Sequence, residues 1–270
     1  MYKKKKMATI FTLFGLSFSI ETVAIAAFVI LLVMRFSRIA FGSLTRNTNI
    51  DTTHLPSANQ TRNLILGRRT IMPKEYQPGE KLSSEEINLI LEAANWAPTH
   101  QKNEPWRFAI LDNPQSIHEY LDFLEQWYTD QAEKISDEDL KKFKNKLAGV
   151  RNEWPEKVSH LLILGMKRQA QEKKRLPEWE EICAVAMAVQ NMHLMSTALE
   201  QVGGFWSSHT WCRHARDSPE LKQSYFGQLL DDPEDRVLGA FVLGKYAKGK
   251  SFRSARSDIE LKCCKIGKKQ

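Results

Sequence analysis

The side chains able to do chemistry are few and fall in three stretches. Arg68-Arg69-Thr70 sets two guanidiniums and a hydroxyl in a row, and a charge-assisted fork of this kind matches phosphate oxygens. The run Ala97-Pro98-Thr99-His100-Gln101-Lys102-Asn103-Glu104-Pro105-Trp106 holds polar side chains between two prolines, which fix the backbone and forbid continued helix. Gly203-Gly204-Phe205-Trp206-Ser207-Ser208 joins two glycines to aromatics and hydroxyls, and glycine permits close approach of something flat or large. No HExxH, GxSxG, Walker or GxGxxG pattern occurs, the seven histidines are scattered, and the four cysteines have neither CxxC nor zinc spacing. With no activated nucleophile, the hard chemistry falls to a cofactor that the chain holds and tunes. A phosphate grip, a stiff polar loop and a glycine-aromatic-serine segment suit a flat heterocycle with a phosphate tail. Read singly, Arg68-Arg69 is as readily a solvated basic pair.

The elements that must position these groups follow from periodicity. Leu64-Ile65-Leu66 is expected to form an apolar helical turn that delivers Arg68 at its end. Ser83 and Glu86 have the spacing of a capping box. Ile87, Ile90, Leu91 and Ala94 then make one apolar face of a helix that ends at Trp96. Trp106 to Leu111 reads as a strand closed by Asp112-Asn113-Pro114. Ile117, Tyr120, Leu121, Leu124 and Trp127 give a second helical stripe. Ser136 to Val150 reads as a charged helix with Leu140, Phe143 and Leu147 on one face and a solvated outer face suited to a mobile lid. Val158 to Met166 is expected as a central strand with His160 satisfied inside it. Glu181 to Gln201 should form a helix apolar on nearly all sides, hence buried in a large core or between subunits, and stopped by Gly203-Gly204. Val237 to Gly244 closes the sheet.

Composition bounds the rest. The 270 residues carry a formal charge of +7. It is concentrated at the ends: +5 in residues 1–40 and +7 from Lys245 onward, leaving −5 between. The basic balance therefore argues for no nucleic-acid partner. Ala8 to Met34 is a largely apolar run of 27 residues flanked by basic side chains, long enough for a helix to span a bilayer. Residues 1–40 are expected to be an N-terminal hydrophobic helix, a single-pass membrane anchor. The alternative is a cleaved segment for the secretory pathway or a plastid, because residues 41–63 are rich in Ser, Thr and Asn. That second stretch reads as a polar linker. Residues 64–250 form the folded domain and 251–270 a basic tail.

Arg68-Arg69-Thr70, the Ala97-Pro98-Thr99 to Pro105-Trp106 loop, Ala188-Val189-Gln190-Asn191 and Gly203-Gly204-Phe205-Trp206 occur in an order that resembles the FMN-dependent nitroreductase family. With His in the loop and Pro177-Glu178-Trp179-Glu180 before the long helix, the chain is most similar to the small bacterial NAD(P)H nitroreductase branch. The resemblance implies an α+β sandwich, a central sheet flanked by helices, in an intertwined homodimer with FMN at each subunit interface. It implies that Arg68, Arg69 and Thr70 hold the FMN phosphate and ribityl chain. Trp96 and His100 would line the flavin, and Trp206, Ser207 and Ser208 would cover its other side. Ser196, Thr197, Ala198, Leu199, Glu200 and Gln201 correspond to a stretch linked with NADH or NADPH. The implied activity passes a hydride from NAD(P)H through the flavin to a small electron-poor acceptor, such as a nitroaromatic or quinone. No side chain is then required as a catalytic acid or base. The sequence departs from the pattern at Lys102 and Glu104, where relatives carry Asn and Gln, at Ser207, where close relatives carry Arg, and at Pro73-Lys74. Arg253 or Arg256 is a further candidate for the phosphate. Two other readings are a membrane-anchored reductive dehalogenase, whose lid set of Glu, Tyr and Lys is not reproduced by Tyr128 and the lysines near it, and a flavin-fold sensing protein without turnover.

Overall fold

The computed structural model describes residues 10–13, 16–19, 54–171 and 175–264. It divides into two units, Met1–Leu55 and Pro56–Gln270. In the first, β1 (Ile10–Leu13) and β2 (Leu16–Ser19) pair antiparallel. The expected hydrophobic helix is thus not formed by these eight residues, whose β-branched and aromatic members (Ile10, Phe11, Thr12, Phe18) suit a strand. The remainder of the Ala8 to Met34 run lies outside the described residues. Among the described residues, no helix is long and apolar enough to cross a membrane.

The second unit contains α1 (Ala58–Gly67), α2 (Ser84–Asn95), β3 (Trp106–Leu111), α3 (Pro114–Asp130), α4 (Asp137–Lys157) and β4 (His160–Met166). These are followed by α5 (Glu178–Ala198), β5 (Val202–Ser207), α6 (Arg213–Arg216), α7 (Pro219–Tyr225) and β6 (Arg236–Lys245). Its four strands form one antiparallel sheet in the order β3-β4-β6-β5. Every residue of β4 is buried, and strand alternation sends its side chains to opposite faces. Leu161 and Ile163 join a core made with α3 and α4. Leu162, Leu164 and Met166 join a second core made with α2 and α5. The result is the expected α+β arrangement, a sheet with helices on both faces.

Local chemistry sets the helix ends. Ser83 and Glu86 form the reciprocal capping box at the start of α2, which buries Ile87, Ile90 and Ala94 and ends at Trp96. A second capping box, Ser57 with Gln60, starts α1 at Ala58, so residues 58–63 are helical although the stretch 41–63 reads as linker. The helix α4 runs past Val150 to Lys157 and buries Phe143, Leu147, Val150 and Trp154. These four side chains seat it on the core, which leaves no free lid; its lysines solvate the outer face. α5 begins three residues earlier than its apolar pattern, because Glu178, Glu180 and Glu181 occupy the first turn, where the helix dipole favours negative charge.

The two glycines do not stop α5. The helix ends at Ala198, Gln201 takes a left-handed φ of 62°, and Gly203 and Gly204 lie inside β5. The flat groups they admit belong to the chain itself. A Cβ on Gly203 would come 2.7 Å from the Tyr76 ring, and one on Gly204 would come 2.6 Å from Phe241. The buried Tyr76 hydroxyl lies 2.9, 3.2 and 3.0 Å from the carbonyl oxygens of Ile71, Gly203 and Val242. It ties the segment after α1 to the end of the sheet.

Candidate active site

The candidate residues gather at the two ends of α5. At the C-terminal end, α1 stops at Gly67 and the chain leaves in an extended conformation from Arg68. Gly67 packs toward Thr197, where an added Cβ would meet its methyl group at 3.9 Å. The Ile71 N–H donates to Gly204 O at 3.1 Å. Arg68, Arg69 and Thr70 therefore run past the last turn of α5 and the start of β5. Arg69 Nε donates to Phe252 O at 3.0 Å, and its Nη1 donates to Leu66 O and Arg68 O at 2.5 and 2.8 Å. Arg68 Nη1 lies 3.5 Å from Thr70 Oγ1. Burial, then the charges of Arg256 and Arg69, hold the Arg68 pKa below its ordinary value. Arg256 Nη1 donates to Ser254 Oγ and Ala255 O, both at 2.7 Å. Among the described residues, no carboxylate pairs with Arg68, Arg69 or Arg256. Among the described residues, the three guanidiniums thus meet only neutral acceptors.

β5 carries the next group. Trp206 follows Gly204 on the same sheet face, roughly 7 Å further along the strand, and is 37% exposed. The Ser207 hydroxyl accepts from the His209 N–H at 3.3 Å, and Ser208 O accepts from Arg216 Nη1 at 2.8 Å. Gly239, at φ +107°, allows this bend: a Cβ there would sit 2.1 Å from Ser207 O.

The proline-framed loop lies at the N-terminal end of α5. His100 Nδ1 is 2.7 Å from Glu180 Oε2, and Asn103 Nδ2 donates to Glu181 Oε1 at 3.3 Å. Thr99 Oγ1 also hydrogen-bonds Asn103 Oδ1. Gln101, Lys102 and Glu104 have φ of 53°, 55° and 43°, a left-handed conformation uncommon outside glycine. Trp106 Nε1 donates to Asn95 Oδ1 at 3.1 Å, and Trp96 caps α2 with 55% of its surface exposed. Pro98, Thr99 and His100 face Trp179, Cys183 and Met187 across a cleft of about 400 Å³.

An anchor that the sequence reading passed over holds this loop. Glu181 is fully buried and pairs with Arg168, itself 8% exposed. Arg168 Nη1 also donates to Leu176 O at 3.0 Å, its Nε to Glu234 at 3.2 Å, and its backbone N–H to Asp235 Oδ1 at 2.7 Å. The signal was available: a carboxylate embedded in a helix apolar on nearly all sides requires a buried cation. The polar run from Lys167 to Leu176 supplies that cation.

One subunit does not bring all the candidate residues together. His100 rests on Glu180 and Arg68 lies by Thr197, 17 positions along α5, which at ~1.5 Å per residue is roughly 25 Å. Within one subunit the candidate residues therefore form two half-sites, which the rigid α5 keeps apart. Trp179 and Met187 on α5 are 64% and 38% exposed, an apolar stripe of the kind that marks an interface. In the Ser196 to Gln201 stretch, Ser196 is 1% exposed and donates to His193 O at 3.0 Å. Thr197 donates to the same carbonyl at 2.7 Å, Ala198 closes the helix and Leu199 caps it. Glu200 lies 3.8 Å from Lys248. This stretch shapes the wall behind the guanidiniums.

The family model described as "Nitroreductase family" matches residues 65–245, and the chain belongs to that family. It is 40% identical over 57 residues to YdgI of Bacillus subtilis, 21% of this chain and 26% of that one. It is 24% identical over 162 residues to YdjA of Escherichia coli, 60% of this chain and 76% of that one. Both relatives bear provisional names as NAD(P)H nitroreductases. The match therefore spans about a quarter of YdgI and three quarters of YdjA. A nitroreductase-like family protein from Bacillus cereus shares the fold at a TM-score of 0.55 and 18% identity, covering 78% of this chain and 98% of that one. A nitroreductase with bound FMN from Bacteroides fragilis does so at 0.50 and 20%, covering 74% and 96%.

Proposed function

We propose that the chain is an FMN-dependent oxidoreductase that takes a hydride from NADH or NADPH and gives it to a small electron-poor acceptor, such as a nitroaromatic or quinone. The observation that carries this reading is the meeting of Arg68, Arg69 and Arg256 without a carboxylate among the described residues. Guanidiniums held that way repel one another, and a phosphate dianion relieves the repulsion. The donor set fits a flavin mononucleotide tail: three cations, the Thr70 hydroxyl, and an exposed indole, Trp206, on the neighbouring strand. FMN, when bound, supplies the two-electron chemistry.

The chain's own residues bind, orient and shield. Arg68, Arg69 and Thr70 grip the phosphate and ribityl chain, with Arg256 adding charge. Trp206, Ser207 and Ser208 flank one side of the ring. Trp96 and His100 belong to the opposite half-site and come from a second copy, because one α5 keeps the two halves ~25 Å apart. Two copies packed antiparallel along their exposed α5 stripes set the loop of each against the guanidiniums of the other. The reading is therefore a homodimer with two sites, in which the nicotinamide and the acceptor take turns at the same flavin face. Ser196 to Gln201 back that site as its wall.

We assign residues 1–40 to a membrane anchor or a removed leader on their apolar run and basic flanks alone. Comparing the mature with the encoded mass decides between the two. Nothing favours the dehalogenase reading: Tyr128, which already fits its lid set poorly, is 3% exposed and stacks on Phe143 with ring centroids 3.7 Å apart. Purified full chain is expected to be yellow and to oxidise NAD(P)H when given an acceptor. Folded, colourless protein that cannot take up added FMN would overturn the proposal.

A further inference from the structure

One turn of α5 before Thr197, against which Gly67 packs, lies a titratable group that the proposed reaction does not use. His193 is 7% exposed, meets Phe241 edge-on with ring centroids 4.7 Å apart, and leaves its Nδ1 without a hydrogen-bond partner. Leaving a buried polar nitrogen unpaired is costly, and natural folds rarely accept that without a use. Its neighbours come from several elements. On its own helix, the Ser196 and Thr197 hydroxyls are spent on the His193 carbonyl. From β6 comes the uncharged Phe241 ring. From the end of α1 comes Arg68, whose charge acts on the imidazole, and Arg69 and Arg256 act in turn on Arg68.

We propose that His193 is the floor of the phosphate site and holds a proton more tightly when a phosphate monoester or inorganic phosphate settles against Arg68 and Arg69. The inference rests on the phosphate grip of the proposed function. With no anion at the grip, burial first and the Arg68 charge second push the His193 pKa down to about 4. An anion beside Arg68 offsets the second of these and favours the imidazolium. Just above that value the occupied site holds more protons than the empty one, and by linkage this imidazole makes phosphate bind more tightly as the pH falls through the acid range toward about 4. Phosphate's own second ionisation, near pH ~6, works the other way. The comparison must therefore be made against a variant that cannot titrate.

The test is an NMR titration of the histidine Cε1 signals in the full chain, with the His193 signal assigned by its loss in His193→Gln. Saturating inorganic phosphate, and separately FMN, are expected to raise the proton affinity of His193 about tenfold or more; riboflavin, which lacks the phosphate, is expected to leave it unchanged. In Arg68→Met the ring should take its proton more readily from the start and respond less to phosphate. Binding of FMN or phosphate with an unmoved His193 titration would overturn this inference and leave the proposed function standing. Failure of both to bind folded protein would overturn the phosphate grip itself, and the proposed function with it.

Discussion

The two ends of α5 hold the same kind of side chain in opposite circumstances. At the N-terminal end, Arg168 is buried and neutralised by Glu181, with Glu234 and Asp235 beside it. At the C-terminal end, Arg68, Arg69 and Arg256 meet, among the described residues, only hydroxyls and carbonyls. A guanidinium matched to a buried carboxylate is already satisfied, so its role is to fix the loop that rests on it. A cluster of guanidiniums without acids keeps an unspent field, and such a field recruits an anion. The pairing of each cation, more than its mere presence, separates scaffold from site.

Substitutions can break this contrast. Arg168→Ala should strand the Glu181 carboxylate in the core and cost about 3–5 kcal/mol of stability, read as a large fall in the thermal midpoint. If the midpoint barely moves, the pair is not the anchor described here. Arg69→Ala should do the reverse: FMN affinity falls by about 2 kcal/mol, the worth of a charge-assisted hydrogen bond, while the flavin-free protein, which loses only hydrogen bonds to backbone carbonyls, loses far less stability than Arg168→Ala does. Equal losses in stability and affinity would erase the distinction between the two ends. Gly203→Ala, on the strand between, should cost roughly 1–3 kcal/mol through overpacking, since the new methyl group meets the Tyr76 ring at 2.7 Å. Normal stability in that variant would mean that Tyr76 gives way freely. Glu180→Gln, which weakens the half-buried partner of the exposed His100, should change stability by at most about 1 kcal/mol. A drop as large as that of Arg168→Ala would show the loop to be pinned at the wrong residue.

Much of the architecture could be read ahead of the structure, because it depends on local rules. The capping box at Ser83, the face of Ile87, Ile90 and Ala94, and the strands at Trp106, His160 and Val237 follow from side-chain period and caps alone. Three features escaped because they depend on distant partners. Gly203 and Gly204 were read as a stop and a landing for a flat ligand, whereas Tyr76 and Phe241 fill the space above them. The Ser136 helix reads as a mobile lid, yet Phe143 and Leu147 of its apolar face, and Trp154 beyond its expected end, seat it on the core. The split of the candidate residues between the two ends of α5 is invisible in sequence order, which says nothing of the span of that helix. The order of the motifs did carry the family, and the acidless guanidiniums support the phosphate reading of Arg68-Arg69.

The most direct test of the split site follows flavin and oligomer together. In sedimentation velocity of the FMN-loaded full chain, read at both the protein and the flavin absorbance bands, flavin should travel with a dimer, and dilution to monomer should release it. Flavin that stays bound to a monomer through dilution would contradict a site built from two copies.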